Sequence, residues 1–139
     1  MARGTGEPRW QKQLIIGEHG DCLRAAFANC LNLPIASLPH FEDAAWFDRW
    51  CAWFRERGIG LIWYGFRPGI LHTLPGLYVL SVKSQRLPGR THCVVARDGE
   101  IVFDPHPHAE CEPSDPSTAN GAYLFHLLDP EKFVHAEAQ

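Results

Sequence analysis

Three residues of this chain have the types that together perform acyl transfer: Cys22, His92 and Asp104. A thiol attacks an acyl carbon as thiolate, so it needs a base, and the base needs a group to orient it. Cys22 follows Gly20-Asp21 and opens the stretch Cys22 to Leu31. There Leu23, Phe27, Cys30 and Leu31 recur at offsets of four, seven and eight. That spacing predicts a helix, which Asp21 can cap through its carboxylate and Pro34 stops. A thiol in the first turn meets free amides and the positive end of the helix dipole. Both favour thiolate, and the same amides can hold an oxyanion.

His92 and Asp104 fall on a hairpin, Thr91 to Ala96, a turn at Asp98-Gly99, then Ile101 to Phe103. Two registers are open. A two-residue turn pairs Arg97 with Glu100, sets His92 opposite Pro105 and turns Asp104 to the other face. A three-residue loop, Arg97-Asp98-Gly99, pairs Ala96 with Glu100 and sets His92 opposite Asp104. In the second register Cys93, Val95, Ile101 and Phe103 share one apolar face, and His92, Val94, Val102, Asp104 and Glu100 share the other. A one-residue slip is costly where one face is buried, so the three-residue loop is favoured. Opposed side chains then lie within reach of an imidazole–carboxylate bond.

The elements that must position these groups come helices first. Gln13 to Ile16 reads as a short extended segment and Gly17 to Gly20 as a turn. A second helix is expected from Asp43 to Arg57, with Gly58 after its basic end. It carries Trp46, Phe47, Trp50, Trp53 and Phe54, more aromatic surface than one stripe can bury, so part of it is expected to line a groove. Strands are expected at Leu61–Tyr64, Leu77–Val82, Thr91–Ala96, Ile101–Phe103 and Ala122–Leu128, separated by Gly- and Pro-rich turns. The order implies an α+β domain with an antiparallel meander. The expected boundaries are a polar lead-in (1–12), the domain itself (13–130) and a tail (131–139).

The ordered motifs resemble those of papain-like cysteine peptidases, and more closely small bacterial and phage proteins of that fold. They are Gln13, Gly20-Asp21-Cys22, Leu33-Pro34, Pro39-His40-Phe41, the aromatic stretch Trp46 to Phe54, His92-Cys93-Val94-Val95 and Asp104-Pro105-His106-Pro107. The likeness spans roughly residues 11–128. It implies N-terminal helices packed on an antiparallel sheet, Cys22 as nucleophile, His92 as base and then acid, and Asp104 as orienter. It implies an oxyanion hole from the Cys22 amide and Gln13, which stands nine residues before the cysteine. The substrate would be a peptide, a protein or a small amide, with no cofactor. Trp50, His106 and His108 are the candidate substrate contacts.

Composition narrows the alternatives. The 139 residues include 13 Lys and Arg against 16 Asp and Glu, for a net charge of −3. That balance argues against a nucleic-acid binder and against an anionic membrane as partner. No apolar run reaches the roughly 18–20 residues of a membrane span. The five cysteines are an odd number and include no Cys-x-x-Cys pair. With a short polar start at Met1–Pro8, they point to a reducing, cytoplasmic setting, with Cys30, Cys51 and Cys93 in the core. Two readings compete with hydrolysis. One is a non-catalytic binding module on the same scaffold. The other is a zinc site at His106, His108 and Cys111, whose spacing supplies only part of a ligand set.

Overall fold

The computed structural model describes residues 10–16, 20–68 and 74–132. Residues 17–19 of the turn expected at Gly17 to Gly20, the lead-in before Trp10 and the tail beyond Lys132 lie outside the described residues. Two helices, α1 (Cys22–Leu31) and α2 (Trp46–Arg55), precede five strands: β1 (Ile59–Gly65), β2 (Leu77–Lys83), β3 (Thr91–Arg97), β4 (Glu100–Phe103) and β5 (Gly121–Leu127). Single 3₁₀ turns occur at Ile35–Ser37 and Pro116–Thr118. The expected α+β class, helices on an antiparallel sheet, is what the structure shows.

The sheet is not the simple meander expected. Its order is β1-β5-β2-β3-β4, so the last strand inserts between the first two. Every pairing is antiparallel. The insertion depends on Gly121, since a Cβ there would stand 2.4 Å from the Trp63 ring and 2.9 Å from the Tyr64 carbonyl. Trp63 of β1 can therefore lie across β5 and meet Tyr123, with ring centroids 4.8 Å apart.

The central strands β2 and β3 are buried along nearly their whole length because both faces of the sheet are covered. On the helix side, Ala25, Ala26 and Ala28 of α1 are fully buried, and their small side chains let the helix approach closely. Phe27 is the hub of this core, edge-on to Trp50, Phe54, Tyr123 and Phe125. Val79, Cys93 and Val95 belong to the same cluster. A second cluster holds Tyr78, Leu80, Val82, Val94, Ala96 and Ala122, with Ile101 packed against it.

Helix α1 has the expected bounds. It ends at Asn32 in the left-handed conformation (φ 58°), whose N–H reaches the Ala28 and Asn29 carbonyls. Helix α2 starts three residues later than expected. Asp43 makes a turn instead, accepting from the Ala45 amide at 3.2 Å and pairing with Arg49 at 2.8 Å. The segment Gln13–Ile16 forms no strand. Trp10 to Lys12 are docked: the Gln11 amide donates to Asn29 Oδ1 at 2.8 Å, its Nε2 to the Leu33 carbonyl at 2.7 Å, and Trp10 stacks on Phe103. Among the described residues no helix is long and apolar enough to cross a membrane.

Candidate active site

The β3–β4 connection corrects the favoured register. Asp98 and Gly99 both have positive φ, 51° and 90°, and Arg97 pairs with Glu100. This is the two-residue turn, whose primed geometry matches strand twist. The register then shifts: Ala96 faces Ile101 but Val95 faces Phe103, so Val102 bulges out and is exposed. The two-residue turn sets Ile101 on the Ala96 face, not the Cys93 face. The bulge at Val102 then returns Phe103 to the Val95 face and Asp104 to the face shared by Val94 and His92, because side chains alternate along a strand.

Asp104 Oδ1 lies 2.7 Å from His92 Nε2. The same oxygen accepts the His106 amide at 3.0 Å, and Oδ2 accepts the Ser114 hydroxyl at 2.6 Å. With Nε2 taken by Asp104, Nδ1 is the ring nitrogen open to the Cys22 sulfur, and the two groups interact strongly. Cys93 acts on the same sulfur from its thiol and from its backbone N–H, and both lower the Cys22 pKa. Cys93 therefore lies in the core as expected and also bounds the site. Its position directly after His92 is the only trace of this second role in the sequence.

The electrostatics follow from these contacts. The Cys93 hydrogen bond holds the Cys22 thiol well below its usual range despite burial, and His92 adds to the effect. Burial opposes a charged His92, but the Asp104 carboxylate and the Cys22 sulfur outweigh it and raise the ring to about 9. Burial likewise opposes a charged Asp104, yet His92 and Ser114 lower it to about 2. Cys93 is pushed up by the negative sulfur it donates to and by burial, so it remains a thiol donor. All three shifts favour a thiolate–imidazolium pair backed by a carboxylate. Burial pushes Cys30 up to about 12, so its thiol is inert by comparison.

Asp21 sits before α1 but does not cap it as expected: no amide of the first turn bonds its side chain. Its buried carboxylate turns back, accepting the Leu14 and Ile15 amides at 3.0 and 2.9 Å and the Arg24 guanidinium at 3.3 Å. The Asp21 amide in turn donates to the Ile15 carbonyl at 3.2 Å. These bonds bring Gln13 back to the cleft that Cys22 lines, across the nine-residue separation, and leave the first-turn amides of α1 unclaimed by the Asp21 side chain. Gln13 is anchored from the other side by its own amide, 2.8 Å from the Pro105 carbonyl. Its Nε2 donates to the Ile15 carbonyl at 2.7 Å, while its buried Oε1 has no partner among the described residues.

Cys22 and His92 open into a cleft of about 540 Å³. Gln13, Phe41, Trp46, Arg86, His106 and His108 are among its lining residues. Trp50 borders the cleft too but is only 2% exposed, under Phe41 and against Phe27. Trp46 is the more exposed indole at the site. His106 is buried edge-on to His92, with centroids 6.0 Å apart, and its Nδ1 accepts the His108 amide at 3.0 Å. Burial holds the His106 ring below its usual pKa, with help from the Arg86 charge. His108 and Cys111 are exposed, and among the described residues no three His, Cys, Asp or Glu side chains gather as a metal site. No protein-family model matches the chain, and neither the curated proteins nor the solved structures contain a significant match to it.

Proposed function

We propose that this chain is a cysteine hydrolase of the papain-like type, cleaving a peptide, isopeptide or small amide through a thioester. The observation that carries this reading is one imidazole held at 2.7 Å by Asp104 and interacting with the Cys22 sulfur, in the cleft that both Cys22 and His92 line. The order of thiol at a helix start, then histidine and aspartate on a hairpin, supports the papain-like comparison.

Chemically, the Cys22 thiolate adds to the acyl carbon. The developing oxyanion is received by the Cys22 amide and by the second N–H of Gln13 Nε2, a reading supported by Gln13 lining the same cleft. The His92 imidazolium gives its proton to the leaving amine, the C–N bond breaks and a thioester remains. Neutral His92 then takes a proton from water, hydroxide adds to the thioester, and the acid leaves with regeneration of the thiolate. Asp104 keeps the ring in one orientation throughout, and Ser114 fixes Asp104.

Labelling with a thiol-directed acyl probe, followed by mapping of the modified cysteine, tests the reading. Cys22 is expected to react near neutral pH far faster than the other four thiols, and Cys22→Ala to remove the label while keeping the fold. Equal slow labelling of all five would leave a non-catalytic binding module as the better account.

A further inference from the structure

The cleft is built from two chemically different stretches. Residues 40–46 bring aromatic surface through Phe41 and Trp46, while the β2–β3 turn brings Arg86. That turn is held rigidly. Ser84 Oγ accepts the Arg86 and Leu87 amides at 3.2 and 3.0 Å, and the Ser84 amide donates to the Arg90 carbonyl at 2.9 Å. The Arg86 side chain is fixed as well. Nη1 donates to the Glu112 carbonyl at 3.1 Å, a neutral acceptor that leaves the positive charge uncompensated. Among the described residues nothing bonds its Nε or Nη2, the edge that binds a carboxylate through two parallel N–H bonds. Its charge also reaches into the catalytic neighbourhood, since it acts on His106 beside His92.

A half-buried guanidinium with a free two-donor edge, in a cleft whose carboxylates Asp21 and Glu42 do not bond it among the described residues, is a preorganised anion site. Resting on the hydrolase reading, we infer that the substrates carry a carboxylate near the scissile acyl group and that Arg86 selects for it. The class is acidic peptides or acyl-amino acids, with apolar portions resting on Phe41 and Trp46.

Two alkylating agents of nearly equal size probe this on the full chain. Iodoacetate carries the carboxylate and iodoacetamide is its neutral counterpart. In each, the Cys22 sulfur forms an S–C bond and iodide leaves. The ratio of the two Cys22 rates at low ionic strength is the readout. It is expected to fall about five- to tenfold in Arg86→Gln and to be largely kept in Arg86→Lys, which preserves the charge. The same ratio in Arg86→Gln and in the unmodified chain overturns the inference. Two dipeptide aldehydes differing only in a Glu or Gln side chain give a second measurement that needs no variant. The Glu aldehyde is expected to protect Cys22 from iodoacetamide at least fivefold better, and equal protection overturns the inference. A Cys22 that reacts rapidly with iodoacetamide but shows no carboxylate preference removes the Arg86 role alone. A Cys22 no faster than the other thiols removes the hydrolase reading itself.

Discussion

Cys93 lowers the pKa of Cys22 from both its thiol and its backbone amide. Strand β3, which carries His92, therefore also favours the Cys22 thiolate, and no separate element is needed to lower the Cys22 pKa. In Cys93→Ala the backbone donor stays and the thiol donor goes. A hydrogen bond to a charged group contributes roughly 1.5–3 kcal/mol, which corresponds to about one to two pH units. The thiolate absorbance of Cys22 is expected to titrate about one unit higher in this variant, and alkylation below neutral pH to slow about tenfold. An unshifted titration would reduce Cys93 to a packing residue.

Asp104→Asn separates orientation from charge. The amide retains an oxygen near His92 but loses the negative charge that raises the ring to about 9. The alkaline limb of the Cys22 reactivity profile is expected to move to lower pH, with hydrolysis of any substrate falling by at least a hundredfold, as when an orienting carboxylate is lost. Ser114→Ala removes the 2.6 Å bond to Asp104 Oδ2 and leaves the His92 contact in place. The same shift is expected there, but smaller, with kcat affected more than KM.

The pH dependence has a definite sign. His92 is raised from 6.5 to about 9, so its charged form stabilises the fold fully below about pH 6.5, and that contribution disappears as pH rises through about 9. Asp104 is lowered from 3.8 to about 2, so its contribution is present above about pH 3.8 and disappears as pH falls through about 2. Activity should follow a bell whose alkaline limb lies near 9, where the imidazolium proton needed by the leaving amine is lost. Its acid limb should lie at the lowered Cys22 pKa. Rates of kcat/KM across pH, compared with Tm over the same range, check both. An alkaline limb near 6.5 would mean that Asp104 and Cys22 do not hold the His92 proton.

Most of the strands and α1 were legible because their signals are local: apolar offsets, β-branched runs, and Gly or Pro at the ends. The sheet order was not, since the placement of β5 between β1 and β2 depends on Gly121 admitting the Trp63 ring, a contact between distant segments. The hairpin was instructive in a different way. Apolar patterning groups Asp104 with His92, as observed, but it also puts Ile101 with Cys93 and points to a three-residue loop, where the chain uses a two-residue turn and a bulge at Val102. Both solutions place Asp104 on the same face, and apolar patterning alone cannot separate them. Ser114 and Arg86 left no signal at all, because a lone serine or arginine in a loop has no periodicity to betray a partner.

Asp21 offers the sharpest test of how the site is assembled. Its carboxylate is almost fully buried and holds three donors at once: the Leu14 and Ile15 amides and the Arg24 guanidinium. Asp21→Ala would strand two backbone amides and leave the half-buried Arg24 charge without its carboxylate, at a cost of roughly 3–5 kcal/mol. A large fall in Tm is expected. Asp21→Asn keeps the Oδ1 acceptor for the two amides and loses only the ion pair with Arg24, so its fold should persist with a smaller loss. In that variant, with the Leu14–Ile15 anchor intact, Gln13 stays beside Cys22 and the Cys22 alkylation rate should stay within about threefold of the unmodified protein. If Asp21→Asn instead abolished Cys22 reactivity while remaining folded, the carboxylate would be acting on the thiolate itself and not only positioning the segment that carries Gln13.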